Sequence, residues 1–503
     1  MESMKSVWFV THPTLSAPSG PFPEGAHLDT VIAGAGITGL TVAALLARSG
    51  QRVVVIEARS VGAVATGNTT AKVSLLQGTV LSDLRSHQSD DVLRAYVEGN
   101  REGQAWLVRL LEDRGVAYQR RTAYTYVAGD DAVMGLRAEL DACRASGLEA
   151  EWTVDTELPF KVAGAISLAD QVQIHPLLVL DVLLAELAAH GGVLVEDARV
   201  TDADPGRIVT VTTTRGTLTA DRLILATGSP ILDRGGYFAK LAPMRSYATT
   251  YRVPGAIPQG MYLSADSPSR SLRTVPVDDG ELLMVGGNGH VVGRTDSEAE
   301  AVADLRRWAQ ENFPGAEPLH AWSAQDYQAV DRVPFVGPMP RGGGKIFVAT
   351  GYNKWGMTNG VAAALSLSAQ ILDGSMAWAE TLLSRRPKPK AVVSAVAPNL
   401  KVAATIAQDW VQAELRALPD GPPSEGEGVV GRGSRGLPEA VSTVGGVTCR
   451  VSGVCTHLGG VVRWNDAERS WDCPLHGSRF AADGALLEGP AVKDLPPVAT
   501  PAG

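Results

Sequence analysis

The chain has 503 residues, 45% of them apolar and 20% charged, which excludes a mainly disordered or collagen-like state and is about three times a usual domain. Lys and Arg number 45 against 54 Asp and Glu, a formal charge of −9, so an electrostatic footprint for nucleic acid is not expected. No apolar run approaches the roughly 18 residues of a bilayer span, no leader is read at the N-terminus, and four cysteines make no disulfide framework.

Residues 29–32 read as a buried strand, 40–47 as an apolar helix and 52–57 as a second strand, the β-α-β unit of a parallel sheet. Between the first two lies G-x-G-x-x-G. Gly34 permits the tight turn, Gly36 lets amides approach a pyrophosphate, and Gly39 lets helix and strand pack closely. Ile37 and Thr38 fall in the helix's first turn, whose partial positive charge suits phosphates. Glu57 ends the second strand, where an acid accepts ribose hydroxyls, and Ala58 and Arg59 follow it. These features together predict a dinucleotide site.

An amphipathic helix is predicted over 82–115, strands over 117–130 and 149–170, and a helix over 131–146 that contains Cys143. Pro176 opens a helix that Gly191-Gly192 ends. Alternating strands follow over 193–225, and the last runs into Ala226-Thr227-Gly228. Residues 245–292 read as β-rich. Within them Val285-Gly286-Gly287-Asn288-Gly289-His290 lacks the fingerprint order and a following helix, so it reads as a turn rather than a second nucleotide site. A helix is predicted over 296–312. The strand at 346–349 repeats the Ala-Thr-Gly ending, and 350–360 opens a helix whose amides suit a flavin pyrimidine edge. A break at 385–390 reads as a solvated linker, a helix of about 401–417 as a bridge, and 428–503 as a small β domain.

The segments Gly34 to Gly39 with Glu57, Ala226-Thr227-Gly228, and Asp331-Arg332-Val333-Pro334 leading into 349–360 resemble the FAD-dependent oxidoreductases of the D-amino-acid oxidase and sarcosine oxidase superfamily. The match is specific at both ends and loose in the middle. The resemblance implies an α/β FAD-binding domain (Rossmann-like, of the glutathione-reductase type) over 27–90, 170–245 and 320–384. An inserted α+β substrate domain would take 91–169 and 246–319. It further implies FAD contacts from Gly34, Gly36, Ile37, Thr38, Gly39, Glu57, Ala58, Arg59, Thr69, Thr70, Ala71, Val200, Ala226, Thr227, Gly228, Gly351, Lys354, Trp355, Gly356, Met357 and Thr358. A cation near the flavin holds the substrate carboxylate in that superfamily. The candidates here are Lys354 and the pair Arg245 and Tyr247, while Lys72 would face flavin or oxygen.

Near the C-terminus Cys455-Thr456-His457 and Cys473-Pro474-Leu475-His476 form C-x-H, fifteen residues, then C-x-x-H. Spacing alone suits zinc as well. The Gly-Gly after the first pair, the Gly-Ser after the second and the β-rich surroundings favour a Rieske [2Fe–2S] centre, with two Cys on one iron and two His on the other. Residues 426–498 resemble the small all-β Rieske domain fused to flavoprotein oxidoreductases, with 385–425 as a linker carrying one helix. Many Rieske domains carry a disulfide at the positions of Gly460 and Leu475, which is missing here. Cys449 is expected as a buried core thiol.

The fusion implies flavin-dependent oxidation of an amine or amino-acid-like substrate. Electrons would leave through the cluster to a ferredoxin or other one-electron carrier. Two alternatives are a ferredoxin-fed flavin reductase and a non-catalytic iron–sulfur redox sensor. A cytoplasmic protein is expected.

Overall fold

The structure, a computed structural model, describes residues 4–15, 19–386, 410, 413, 415–419, 421–433 and 436–498. The linker segment 387–409 lies outside the described residues, and with it most of the helix expected at 401–417.

Short runs of β-branched residues build the first sheet. Its strands lie in the order Phe335–Pro338, Ile346–Thr350, Gly216–Leu225, His27–Ala33, Val53–Ile56, Val193–Val195. All neighbours pair in parallel except the first two. Strands buried on both faces carry the near-continuous Val/Ile/Leu runs seen at 53–56 and 223–225. The helices Ile37–Arg48, Pro176–Ala189 and Gly356–Ile371 cover one face in a single apolar core. The hairpin Val200–Pro205 and Val209–Thr213 supplies apolar cover on the other.

The second sheet runs Glu317–Ala329, Leu241–Arg252, Gly280–Val291, Arg270–Val277, Met261–Ser264, Gln119–Val127, Gly164–Gln173, Lys72–Val73. Its strand Leu241–Arg252 crosses the boundary expected at 245, and Glu317–Ala329 the one expected at 320. Residues 285–290, read as a turn, lie inside the strand Gly280–Val291. Their small side chains let the sheet approach its neighbours: a Cβ on Gly287 would strike the Ser269 carbonyl.

The helix expected over 82–115 is two helices, Val80–His87 and Asp90–Asp113, because Ser89 takes an extended conformation and caps the second through Val92 N at 3.4 Å. Glu139, on the helix Val133–Ala145, accepts from Leu81 N at 3.1 Å and Ser82 N at 2.7 Å in the first turn of Val80–His87. Burial pushes its carboxyl up to about 7. A raised carboxyl stabilises the fold fully below pH ~4.5, and that stability is lost as pH rises through about 7. The melting midpoint should therefore fall between pH 5 and 8, and Glu139→Gln should flatten part of that fall. Equal slopes for both chains in thermal unfolding at the two pH values would refute this.

The C-terminal module stacks the three strands Gly428–Arg432, Pro438–Val444, Val447–Ser452 and the four strands Arg463–Asn465, Ser470–Asp472, Arg479–Ala481, Leu486–Glu488 around Trp471 and Phe480. Cys449 is half-buried rather than in this core. Its strand Val447–Ser452 has exposed or part-exposed residues along most of its length. Among the described residues no helix is long and apolar enough to cross a membrane.

Candidate active site and cluster site

The C-terminal ends of the parallel strands meet at one edge, where Ala33 aligns with Leu225 and Leu225 with Val348. Gly34 leaves the first strand at φ 105°, and a Cβ there would strike the Ala226 carbonyl, so only glycine turns the chain this tightly. The helix Ile37–Arg48 begins at Gly36 with no side-chain cap, and Ile37 N donates to Thr66 Oγ1 at 3.1 Å. Glu57 accepts from Ala35 N at 2.8 Å and Arg59 N at 2.9 Å, and its burial raises the carboxyl's pKa.

A cavity follows this edge. Its walls contain Gly34, Gly36, Ile37, Thr38, Glu57, Ala58, Arg59, Thr69, Thr70, Lys72, Val200, Ala226, Thr227, Gly228, Tyr247, Gly351, Lys354, Trp355, Gly356 and Met357. Three of the residues expected at FAD do not line it. Gly39 packs its helix against the Gly34 carbonyl. Ala71 turns at φ 56° and gives its carbonyl to Arg273 at 3.0 Å. The Thr358 hydroxyl accepts from Gln77 Nε2 at 3.2 Å in a buried polar cluster.

Arg245 is the main correction. It is fully buried, absent from the cavity walls, and committed elsewhere. Its guanidinium donates to Ser323 Oγ at 2.6 Å, Gln325 Oε1 at 2.9 Å and the Glu468 carboxylate, and lies 3.6 Å from Asp472 Oδ2. Arg245 and Tyr247 stand two apart and would share a face by alternation, but the pairing with Gly280–Val291 shifts register between them. Ala248 joins the apolar core of the first sheet, whereas Tyr247 joins the cluster of Tyr251, Val285 and Leu305 beneath the helix Glu298–Asn312. Tyr247 lines the wall together with Ser246 and Ala248, but its hydroxyl bonds His290 Nε2 at 2.9 Å. Lys72 is buried and donates to Tyr262 O and Ser271 Oγ, both at 2.7 Å, and burial first, then Arg273, holds its pKa well below the ordinary range. Lys354 is exposed, and its backbone N–H donates to Asp326, whose carboxyl burial pushes up to about 6.

Sequence reasoning missed Thr66, Asn68, Ser271 and Asp326, which carry no local motif, and Leu487, Glu488 and Gly489, by which the C-terminal module closes the cavity. That closure is built from long-range contacts. Gln325 Nε2 donates to Gly477 O at 2.7 Å, Tyr327 OH to Gly489 O at 3.2 Å and Arg199 to Leu486 O at 2.9 Å.

In the C-terminal module Cys455, Cys473, His457 and His476 come together at the tips of two loops. The thiols are unoxidised and bonded to each other; the Cys473 hydrogen bond lowers the Cys455 pKa, and the same bond raises that of Cys473. The imidazole centroids lie 5.1 Å apart, nearly perpendicular. His457 Nε2 lies 3.1 Å from Asp233 Oδ1, while its Nδ1 is buried without a partner among the described residues. Phe238 stands edge-on to both rings, at 6.2 and 5.4 Å. Ser478 Oγ is within hydrogen-bond reach of the Cys455 thiol and accepts from Ala491 N at 3.0 Å. A Cβ on Gly460 would meet the Leu475 side chain at 2.5 Å, so the two positions are neighbours closed by an apolar contact.

The family model of FAD dependent oxidoreductases matches residues 29–370. The chain belongs to that family. The Rieske [2Fe-2S] domain matches residues 435–499 of this FAD-dependent oxidoreductase. YhfW of Bacillus subtilis (strain 168), a Rieske 2Fe-2S iron-sulfur protein by name, is 32% identical over 98% of this chain and 97% of its own. The cytochrome b6-f complex iron-sulfur subunit of Synechococcus sp. (strain JA-3-3Ab) is 41% identical over 13% of this chain and 40% of its own length. Among solved structures, glycine oxidase from Geobacillus kaustophilus superposes with a TM-score of 0.60 at 20% identity, covering 70% of this chain and 96% of that one. L-proline dehydrogenase from P. horikoshii superposes with a TM-score of 0.59 at 17% identity, covering 71% and 96%. Both share the fold.

The oxidoreductase thus takes FAD and a [2Fe–2S] cluster, and the residues present fit both. Two helices, Ile37–Arg48 and Gly356–Ile371, begin at the cavity without side-chain caps, which leaves amides for a diphosphate and for a carbonyl edge. The orphaned His457 Nδ1, buried beside the paired thiols, has the donor chemistry of a cluster ligand.

Proposed function

We propose that the oxidoreductase oxidises an amine or amino-acid-like substrate and passes the electrons through the cluster to an external one-electron acceptor. Bound FAD would supply a two-electron acceptor and the cluster a one-electron carrier. The contacts proposed for FAD are the eighteen of the expected residues that line the cavity, and those for the irons Cys455, His457, Cys473 and His476. Glycine oxidase, L-proline dehydrogenase and L-amino acid deaminase among the structural neighbours support this substrate class.

The observation that carries the reading is Lys72. It is a buried cavity lysine with two neutral partners and, among the described residues, no carboxylate at ion-pair distance. A cation buried without a counter-charge is costly unless a ligand supplies one. A substrate carboxylate does so and restores the ammonium form that burial disfavours. Lys354, Arg59 and Arg199 add further basic side chains at the cavity wall. We assign Lys72 to the substrate side and retire Arg245 from it.

Anaerobic mixing with amines and amino acids tests the reading. Substrate should bleach the flavin first and the cluster second, and Lys72→Met should raise the apparent KM for a carboxylate substrate about 10- to 100-fold, the loss of a charged hydrogen bond. If no amine or amino acid reduces the protein while a reduced ferredoxin does, the reading fails.

A further inference from the structure

The loop that brings Thr66, Asn68, Thr69, Thr70 and Lys72 to the cavity is held from outside by a run of side-chain donors, with one backbone bond from Ile174 N to Ala71 O at 3.2 Å beside them. Each carbonyl from Gly67 to Ala71 accepts a donor from another part of the chain. Ser6 Oγ bonds Gly67 O at 2.6 Å, Trp322 Nε1 bonds Asn68 O at 2.8 Å, and Trp8 Nε1 bonds Thr69 O at 2.7 Å. Arg273 bonds Thr70 O at 2.9 Å and Ala71 O at 3.0 Å. Such a run of carbonyls, each taken by a side chain, fixes which side of the loop the cavity sees.

Trp322 and Arg273 belong to the second sheet. Ser6 and Trp8 do not belong to the family domain at all, since the match begins at residue 29. They come from the short helix Val7–Thr11 and the residue before it. Trp8 is 1% exposed; its ring meets His175 edge-on at 4.9 Å and the Arg273 guanidinium at 5.2 Å. Phe9 lies so close to Gly67 that a Cβ there would touch its ring at 2.5 Å. Met4 bridges to Ala321 on the strand that carries Trp322. The segment is therefore packed against the loop and against the sheet that holds the loop's other carbonyls.

We propose that residues 4–12 are a clamp that sets FAD affinity, with Ser6 and Trp8 as positioning residues for the cavity loop. A loop ordered before its ligand arrives spares binding the entropy of ordering it. Without the two donors, the carbonyls of Gly67 and Thr69 lose their partners and the loop is ordered only on binding.

The test uses full-length apoprotein titrated with FAD by fluorescence quenching, well below its unfolding midpoint. Trp8→Phe keeps an aromatic ring but deletes the donor, and Ser6→Ala deletes the other. The double variant should bind FAD about tenfold more weakly, from two lost hydrogen bonds, and Trp8→Ala more weakly still. Iron content should be unchanged. A chain lacking residues 1–14 should regain affinity when a peptide of those residues is added. A purely structural role would lower the unfolding midpoint and leave the Kd alone. A Kd within about twofold of wild type in both the double variant and Trp8→Ala overturns the clamp, whatever their midpoints.

Discussion

Arg245→Met should release the C-terminal module from the rest of the chain. The guanidinium is buried at the boundary and serves Glu468 and Asp472, which belong to the module, together with Ser323 and Gln325, which belong to the second sheet. Burial alone would raise the Glu468 carboxyl, but Arg245 and Arg479 overcome it and hold the carboxyl below its ordinary range. Arg479 stays with Glu468, Asp472 and Glu488 inside the module after the substitution, so the loss falls on the boundary. Removing one partner of a buried pair costs about 3–5 kcal/mol, because the other charge stays buried. That is comparable with what holds two domains of one chain together. Calorimetry should resolve two transitions where the wild type shows one, and limited proteolysis should free a fragment bearing the cluster. Glu468→Leu added to Arg245→Met should recover part of the loss, since it removes one stranded charge. A single transition at the wild-type midpoint would show that the ion network does not hold the boundary.

Cys473→Ser should abolish the cluster and leave FAD in place. Cys473 is 2% exposed and its thiol is bonded to Cys455 in a core of Trp471, Leu475 and Phe480. A serine hydroxyl is a poor substitute for a thiolate on iron. The cavity draws most of its walls from the first sheet and the loops at its edge, so flavin absorbance should persist at one FAD per chain. Iron analysis and low-temperature EPR make the measurement. A variant that keeps its full iron complement would remove Cys473 from the ligand set.

The Cys and His pairs proposed for the cluster and the glycine turn were legible because each is a local rule. Two short loops carry those four side chains, and G-x-G-x-x-G needs only the strand before it and the helix after it. Arg245 was misread because its residue type was right, while its partners lie far off in sequence and the register shift beside it leaves no local mark. Ser246, Tyr247 and Ala248 all line the cavity, whereas Arg245 is taken up by Ser323, Gln325 and Glu468. Ser271, Asp326 and Glu488 were invisible for a similar reason. They reach the cavity from three separate stretches of sequence, and no spacing links them. The run at 285–290 had the composition of a turn, yet its glycines serve a strand that must pass close to its neighbours.

The contact between Gly460 and Leu475 bears on how the protein matures. Where a disulfide braces the two ligand loops, a thiol oxidant must act before or during cluster insertion, and a reductant can later undo the brace. Here a leucine side chain fills the space above a glycine, and the only thiols in the site among the described residues are the two proposed for iron. Assembly then depends on a single chemical input, delivery of iron and sulfide to a reduced chain. The brace itself is indifferent to the thiol–disulfide balance of its surroundings.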